Sequence, residues 1–170
     1  LVSMRDSTAP TGEPIRISRS KVELFLECPR CFYLDKVRGV TRPDFASYSL
    51  NLAVDHLLKK EFDIYRLSEK AHPLMSLYGV EAVPFKHRDM DTWRTKGIDA
   101  VHDGLFLFGI VDDVWKHDDG TLAIVDYKAT STGAAITLDG DYRAGYKRQL
   151  EFYQWLFRHN GFDVSDTGYF

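Results

Sequence analysis

Two strongly apolar segments joined by a tight-turn sequence constrain this chain more than any other feature. Leu105–Lys116 and Thr121–Lys128 are rich in aliphatic and aromatic residues, and Asp118, Asp119 and Gly120 lie between them. A type I turn followed by a glycine in the left-handed region suits that tripeptide and makes a three-residue hairpin loop. Strands that are apolar on both faces belong inside a sheet that is covered on both sides. The sequence therefore predicts a central, covered β-hairpin.

The remaining patterns place helices and shorter strands around that hairpin. A capping box of Ser20 and Glu23 predicts the start of the first helix, and Pro84 would confine its strand to a sheet edge. In chain order, the predicted elements are a helix entry at Arg16–Glu27, a helix at Leu50–Leu67, an edge strand at Val80–Phe85, the hairpin, a helix at Tyr142–Asn160 capped by Gly161, and a strand starting within Phe162–Phe170. This order predicts a mixed α/β layer architecture.

The length of 170 residues suits one globular domain. Residues 1–14 are polar and rich in Ser, Thr, Pro and Gly, so we expect a flexible arm followed by a single domain over residues 15–170. We expect that domain to be truncated within its last strand. No apolar run is long enough to cross a bilayer, so no membrane partner is expected. The net charge of −3 counts against a protein that binds nucleic acid through phosphate contacts alone.

The chain has only two cysteines, Cys28 and Cys31. So few cysteines argue against a secreted domain stapled by disulfides and predict a cytoplasmic protein. Their Cys-x-x-Cys spacing is also found in zinc and redox sites. A closed zinc site usually needs four ligands, and the chain has no second cysteine pair. Packed free thiols are therefore the default interpretation, with a metal or redox module as the alternative.

The second hairpin strand ends in a charged pair, Asp126 and Lys128. Residues two apart on a strand point to the same face, and Leu122 and Ile124 precede them on that face. Charged side chains that emerge from a buried strand are costly unless they are paired or used. The pair suits a metal ligand with an ammonium group beside it, and a simple salt bridge at a strand end is the alternative.

The hairpin register decides which aspartate faces Asp126. A three-residue loop places Asp112 opposite Asp126, whereas a two-residue loop would place Asp113 there. The residue pattern alone leaves both registers open. In either register, two facing carboxylates repel each other and favour a shared cation. Mg²⁺ is the expected cation, because it prefers oxygen ligands.

These residues resemble the motifs of the PD-(D/E)XK nuclease superfamily. Gly109–Asp112 is similar to its Gly-x-apolar-Asp motif, and Asp126–Lys128 is similar to its Asp-x-Lys motif. Gln149 and Tyr153 match the Gln-x-x-x-Tyr motif of the RecB-type branch, and a spacing of four puts both on one helical face. The resemblance extends from about Ser18 to Phe157. It implies a restriction-endonuclease-like central mixed sheet flanked by helices.

The resemblance also implies a metal-dependent DNA nuclease that acts in repair, recombination or defence. It favours Asp112 over Asp113 as the partner of Asp126. By this resemblance the catalytic residues are Asp112, Asp126, Lys128, Gln149 and Tyr153, and the metal ligands are His56, Asp112, Asp126 and the backbone carbonyl of Tyr127. Mg²⁺ or Mn²⁺ would be the cofactor, since an imidazole ligand also suits Mn²⁺.

Some relatives bind an iron–sulfur cluster through one early and three late cysteines. No cysteine follows Cys31 here, so no cluster is expected in this chain. The alternative function is a nucleic-acid-binding or assembly module that has the same fold and has lost catalysis. The presence of Asp112, Asp126 and Lys128 argues against that loss.

Overall fold

The structure is a computed structural model that describes residues 14–43, 49–128 and 144–170. The predicted N-terminal arm up to residue 13 and the first two residues of the helix predicted at Tyr142 lie outside these ranges. Within them the strands are β1 (Ile15–Ser18), β2 (Ala82–Pro84), β3 (Ile98–His102), β4 (Leu105–Gly109), β5 (Asp113–His117) and β6 (Leu122–Val125). The helices are α1 (Arg19–Glu27), α2 (Pro29–Lys36), α3 (Ser49–Ser68), α4 (Pro73–Leu77), α5 (Met90–Thr95) and α6 (Ala144–His159). The predicted mixed α/β class is confirmed.

The described strands form two three-stranded sheets, with the orders β1-β4-β3 and β2-β5-β6. β1 runs parallel to β4, and the other strand pairs are antiparallel. The prediction of one continuous strand over Leu105–Lys116 is wrong, because its two halves pair with different partners. The chain leaves β4 after Gly109 and enters β5 at Asp113, so Asp112 lies in the break between the two sheets.

The β5–β6 hairpin has the register that a three-residue loop predicts. Asp113 pairs with Val125, and the His117 N–H donates to the Thr121 carbonyl. Gly120 has a φ of 93°, as the turn requires. Continuing the same register by one residue places Asp112 across from the residue that follows Val125, which is Asp126.

The β5–β6 hairpin lies between two apolar clusters. Ile124 packs with Leu156 and Phe157 of α6 in the larger cluster. Val125 packs with Phe62 of α3 and Trp115 of β5 in the smaller one. Alternate residues of each strand thus face α6 and α3, as strand geometry requires. Asp113, which pairs with Val125, lies on the α3 side.

The N-terminal segment begins as a strand and not as a helix. Ile15–Ser18 pairs with β4, and α1 begins only at Arg19, with Ser18 as its extended N-cap. The predicted capping box of Ser20 and Glu23 is wrong, because Ser20 already lies inside α1. The Glu23 carboxylate instead binds the Arg148 guanidinium of α6 and so ties the two helices together.

Other differences concern short elements. β3 was not predicted, although the two-residue turn at Asp103 and Gly104, with φ values of 47° and 74°, is a standard hairpin signal. The predicted edge position of β2 is confirmed. The strand predicted within Phe162–Phe170 is wrong as a continuous element. The segment makes only isolated parallel bridges to β6, between Val164 and Leu122 and between Tyr169 and Val125. The chain advances five residues from Val164 to Tyr169 but only three from Leu122 to Val125, so the two segments cannot pair residue by residue.

Cys28 and Cys31 form a disulfide, so the expectation of free thiols is wrong. Cys28 is the N-cap of α2 and Cys31 lies in its first turn, which holds their Cα atoms 5.2 Å apart. This separation suits a disulfide. Disulfides are rare in cytosolic proteins, and the cytoplasmic location stays a prediction. In the parts of the chain that the structure describes, no helix has the length and apolar character needed to cross a bilayer.

Candidate active site

Asp126 lies just after β6 and is 2% exposed. Its Oδ1 accepts a hydrogen bond of 2.7 Å from the Gln149 side chain. Its Oδ2 is contacted by the Lys128 ammonium in an ion pair that lacks hydrogen-bond geometry. Burial raises the pKa of Asp126 to about 6; Lys128 lowers it and Asp112 raises it. A buried carboxylate oxygen without a hydrogen bond is rare and is a natural place for a cation.

Asp112 is held from three directions in the break before β5. Its Oδ1 accepts from Lys59 Nζ at 2.7 Å, and its Oδ2 accepts from the Tyr127 N–H at 3.0 Å. Its backbone carbonyl accepts from Arg94 Nε at 2.9 Å. The structure therefore brings the Asp112 and Asp126 carboxylates together at the end of the hairpin, and each of them is paired with a lysine.

The α6 side of the site is built by the Gln-x-x-x-Tyr residues. Gln149 approaches the Tyr153 hydroxyl at 3.4 Å while it binds Asp126. Burial raises the pKa of Tyr153 to about 12, and Asp126 adds to the increase although Gln149 opposes it. The Tyr153 ring lies so close to Gly109 that a Cβ there would overlap it. This close approach explains why a glycine suits that position of the motif.

His56 is exposed on α3. The more buried stripe of this helix passes through Asp55, Lys59, Phe62 and Arg66, which share one helical face. Among the residues that the structure describes, no three side chains of His, Cys, Asp or Glu are grouped so that they could hold a metal ion. The structure thus does not bring His56 together with Asp112 and Asp126, and its role as a ligand stays a prediction.

Lys59 is a residue of the site that the sequence analysis missed. Its ammonium bridges Asp112 Oδ1 and, at 2.9 Å, Asp55 Oδ2. Burial alone would lower the pKa of Lys59, but the hydrogen bonds that its ammonium donates to these two carboxylates raise it. Its place on the same helical stripe as Asp55 was a signal, because residues four apart lie on one face.

Asp113 lies in a buried ionic network beneath the site. It is 0% exposed, and its carboxylate accepts hydrogen bonds from the Tyr127 hydroxyl at 2.6 Å and the Val114 N–H at 2.7 Å. Arg66 donates to it as well, and Arg94 lies 3.2 Å away as an ion-pair partner. Burial raises the pKa of the Tyr127 phenol, and the Asp113 charge adds to that increase. The sequence analysis considered Asp113 only as an alternative partner of Asp126.

The site thus combines two facing carboxylates, a lysine and a supporting glutamine at the end of a β-hairpin in a mixed α/β fold. The family model of the PD-(D/E)XK nuclease superfamily matches residues 46–169, and the chain belongs to that superfamily. Members of this superfamily are mostly nucleases that use divalent metal ions such as Mg²⁺, so nuclease activity on nucleic acid is suggested in general. Comparisons with curated proteins and with solved structures found no match.

Proposed function

We propose that this protein is a metal-dependent deoxyribonuclease of the RecB-type branch that hydrolyses phosphodiester bonds. One observation carries the proposal: Asp126 is buried opposite Asp112, and its Oδ2 has no hydrogen-bond partner. Two carboxylates placed in this way are unfavourable without compensating positive charge. A catalytic cation would supply that charge, and Lys128 supplies part of it in the free protein.

Asp112 and Asp126 would hold the divalent ion, with the Tyr127 carbonyl and His56 as further proposed ligands. The oxygen donors suit Mg²⁺, and an imidazole would also suit Mn²⁺. The unsatisfied Oδ2 of Asp126 supports this fit. When bound, such an ion polarises the phosphate and lowers the pKa of a bound water.

The side chains around the two aspartates would position the reacting groups. Lys128 would orient the attacking water and stabilise the negative charge that develops on the phosphate. Its Nζ lies 5.3 Å from the centre of the Tyr146 ring, whose face attracts cations. Gln149 holds Asp126 through Oδ1, so Oδ2 stays on the side of Lys128.

The RecB-type assignment is supported by contacts of the α6 motif with the hairpin motifs. Gln149 binds Asp126, and the Tyr153 ring packs on Gly109. The Gln-x-x-x-Tyr motif therefore contacts both the Asp-x-Lys motif and the Gly-x-apolar-Asp motif. DNA is the proposed substrate, and repair, recombination or defence is the proposed process.

A cleavage assay tests this function. The chain would be incubated with labelled linear and circular DNA, single- and double-stranded, in Mg²⁺, Mn²⁺ or EDTA. We expect cleavage that requires metal and that falls by about 100-fold or more in Asp126→Ala and Lys128→Ala. Asp118→Ala is the matched control, because Asp118 is an exposed aspartate in the loop of the same hairpin. It should cleave like the wild type.

The outcomes separate the two candidate functions. Metal-dependent cleavage that is lost in both variants supports the nuclease. A folded wild-type protein that binds DNA and cleaves none of the substrates supports the inactive binding module. Cleavage that persists in Asp126→Ala would show that the active site lies elsewhere.

A further inference from the structure

We propose that Asp113 is a positioning residue for Asp112, and that it acts through Tyr127 and Arg94. The inference rests on the proposed nuclease function, because it assigns Asp112 as the ligand that is being positioned. Asp113 is adjacent to Asp112 in the sequence, but its side chain points away from the candidate site, towards the α3 side of the hairpin.

Asp113 is fully buried, and both of its carboxylate oxygens accept hydrogen bonds. One carboxylate oxygen accepts from the Tyr127 hydroxyl, and the other accepts from the Val114 N–H and from Arg66. A buried charge persists only when its partners are well placed, because desolvation opposes its burial. The network is therefore a fixed part of the folded protein.

Two chains of contacts lead from Asp113 to Asp112. In one, the Tyr127 hydroxyl donates to Asp113 while the Tyr127 N–H donates to Asp112 Oδ2 at 3.0 Å. In the other, Arg94 pairs with Asp113 through Nη2 and donates through Nε to the Asp112 carbonyl at 2.9 Å. One chain thus fixes the carboxylate of Asp112 and the other fixes its backbone.

The buried network around Asp113 balances its own charge. Asp63 accepts from Arg94 at 2.7 and 2.9 Å and from Arg66 at 2.9 Å. Two carboxylates and two guanidiniums therefore neutralise one another without a metal ion. Because this framework forms in the free protein, it would hold Asp112 ready for a cation before the cation arrives. Mutation of residues that orient a metal ligand through hydrogen bonds typically lowers metal affinity or activity by about 10- to 100-fold.

Tyr127→Phe tests the inference and leaves the hydrogen bonds of Asp113 with Arg66 and the Val114 N–H in place. It removes the hydroxyl that binds Asp113 and leaves the Tyr127 N–H and carbonyl in place. Tyr169→Phe is the matched control, because Tyr169 packs on Trp115 in the same aromatic cluster and lies outside the network. Asp113→Asn is a second variant, which keeps the size of the side chain and removes its charge.

The measurement is the affinity of the full chain for Mn²⁺ by titration calorimetry, together with the Mn²⁺ dependence of DNA cleavage. We expect Tyr127→Phe to bind Mn²⁺ about tenfold more weakly than the wild type and to cleave nearly as fast at saturating Mn²⁺. Asp113→Asn should bind more weakly still, and Tyr169→Phe should match the wild type. A general loss of stability would not produce this split between metal affinity and saturated rate.

Unchanged Mn²⁺ affinity in folded Tyr127→Phe would overturn the positioning role, and this result decides the matter even if Asp113→Asn does not fold. Failure of the proposed function looks different. A wild-type protein that neither binds Mn²⁺ nor cleaves DNA overturns the function and the positioning role together. A wild type that binds and cleaves, beside an identical Tyr127→Phe, overturns only the positioning role.

Discussion

Asp113 and Asp126 are two buried aspartates of one hairpin, and they have opposite environments. Both carboxylate oxygens of Asp113 accept hydrogen bonds, and two arginines neutralise its charge. Asp126 is equally buried, but one of its oxygens has no hydrogen bond and is paired with a partly exposed lysine, and the Asp112 carboxylate lies close by. A satisfied buried carboxylate stabilises the fold, whereas an incompletely satisfied one remains available to a ligand.

The difference follows from the helix that each residue faces. On the α3 side, Arg66 and Asp63 of α3 and Arg94 of α5 surround Asp113, and the charges balance. On the α6 side, Gln149 is neutral and supplies a single hydrogen bond to Asp126. In the first arrangement both oxygens of Asp113 accept hydrogen bonds and the charges balance, although Arg94 Nη2 contacts Asp113 without a hydrogen bond. The second leaves negative charge for a cation to neutralise.

The largest expected effect on stability is that of removing the Asp113 carboxylate. Asp113→Ala would leave two buried guanidiniums without their shared carboxylate. Removing one partner of a buried ion pair typically costs about 3–5 kcal/mol of unfolding free energy. Urea denaturation measures this directly. A loss below about 1 kcal/mol would mean that the network contributes little to stability.

In metal-free protein, Asp126→Asn should raise the unfolding free energy, in contrast to Asp113→Ala. The pKa of Asp126 is raised from 3.8 to about 6, so the folded state favours the protonated form. The stability that the protonated Asp126 contributes to the folded state is fully present below about pH 4 and is lost as the pH rises through about 6. At about pH 8 the asparagine should therefore raise the unfolding free energy by up to about 3 kcal/mol.

Thermal unfolding at about pH 4 and about pH 8 measures whether Asp126→Asn raises or lowers the stability. At about pH 4 the Asp126→Asn and wild-type proteins should have similar stability, because the aspartate is then largely protonated in the folded state. Mg²⁺ should stabilise the wild type at about pH 8 and should not stabilise the variant. A variant that is less stable than the wild type at about pH 8 without metal would contradict the comparison.

Gly109→Ala tests how closely α6 packs on the Asp126 side. The added methyl group would overlap the Tyr153 ring, and overpacking of this kind typically costs about 1–3 kcal/mol. The displaced ring would also disturb the Gln149 contact with Asp126 and slow cleavage. A double-mutant cycle with Tyr153→Leu provides the control. The costs of the two substitutions should not add, because the smaller side chain makes room for the methyl group.

The smallest expected effect is that of Tyr153→Phe. The hydroxyl contacts Gln149 only at 3.4 Å, so its loss should change the unfolding free energy by less than about 1 kcal/mol. Cleavage should fall less than in Gln149→Ala, which loses the contact with Asp126 itself. Equal loss of activity in the two variants would show that the hydroxyl, and not only the ring, acts in catalysis.

The features that sequence reasoning predicted correctly depend on local chemistry. The turn residues ending in Gly120 indicated the hairpin loop, whereas the choice of Asp112 over Asp113 as the residue facing Asp126 came from the family motif. Helical periodicity indicated α3 and α6, and Pro84 indicated an edge strand. Each of these signals is complete within a few consecutive residues.

The errors arise where distant segments meet. Ile15–Ser18 is a strand because β4 offers it a pairing edge, and Leu105–Lys116 is divided because its halves join different sheets. The contact of Lys59 with Asp112 also joins distant parts of the chain. Such contacts have no signature within a short stretch of sequence, since they depend on how the elements pack.

The residue pattern by itself determined the hairpin, and the resemblance of its motifs to a known family selected the register in which Asp112 and Asp126 face each other. Only the tertiary structure decided that Asp113 is satisfied while Asp126 is not. The physical reason is that the residue types and the hairpin register set which charges face each side, whereas burial and hydrogen-bond partners depend on the side chains that α3 and α6 bring to each face.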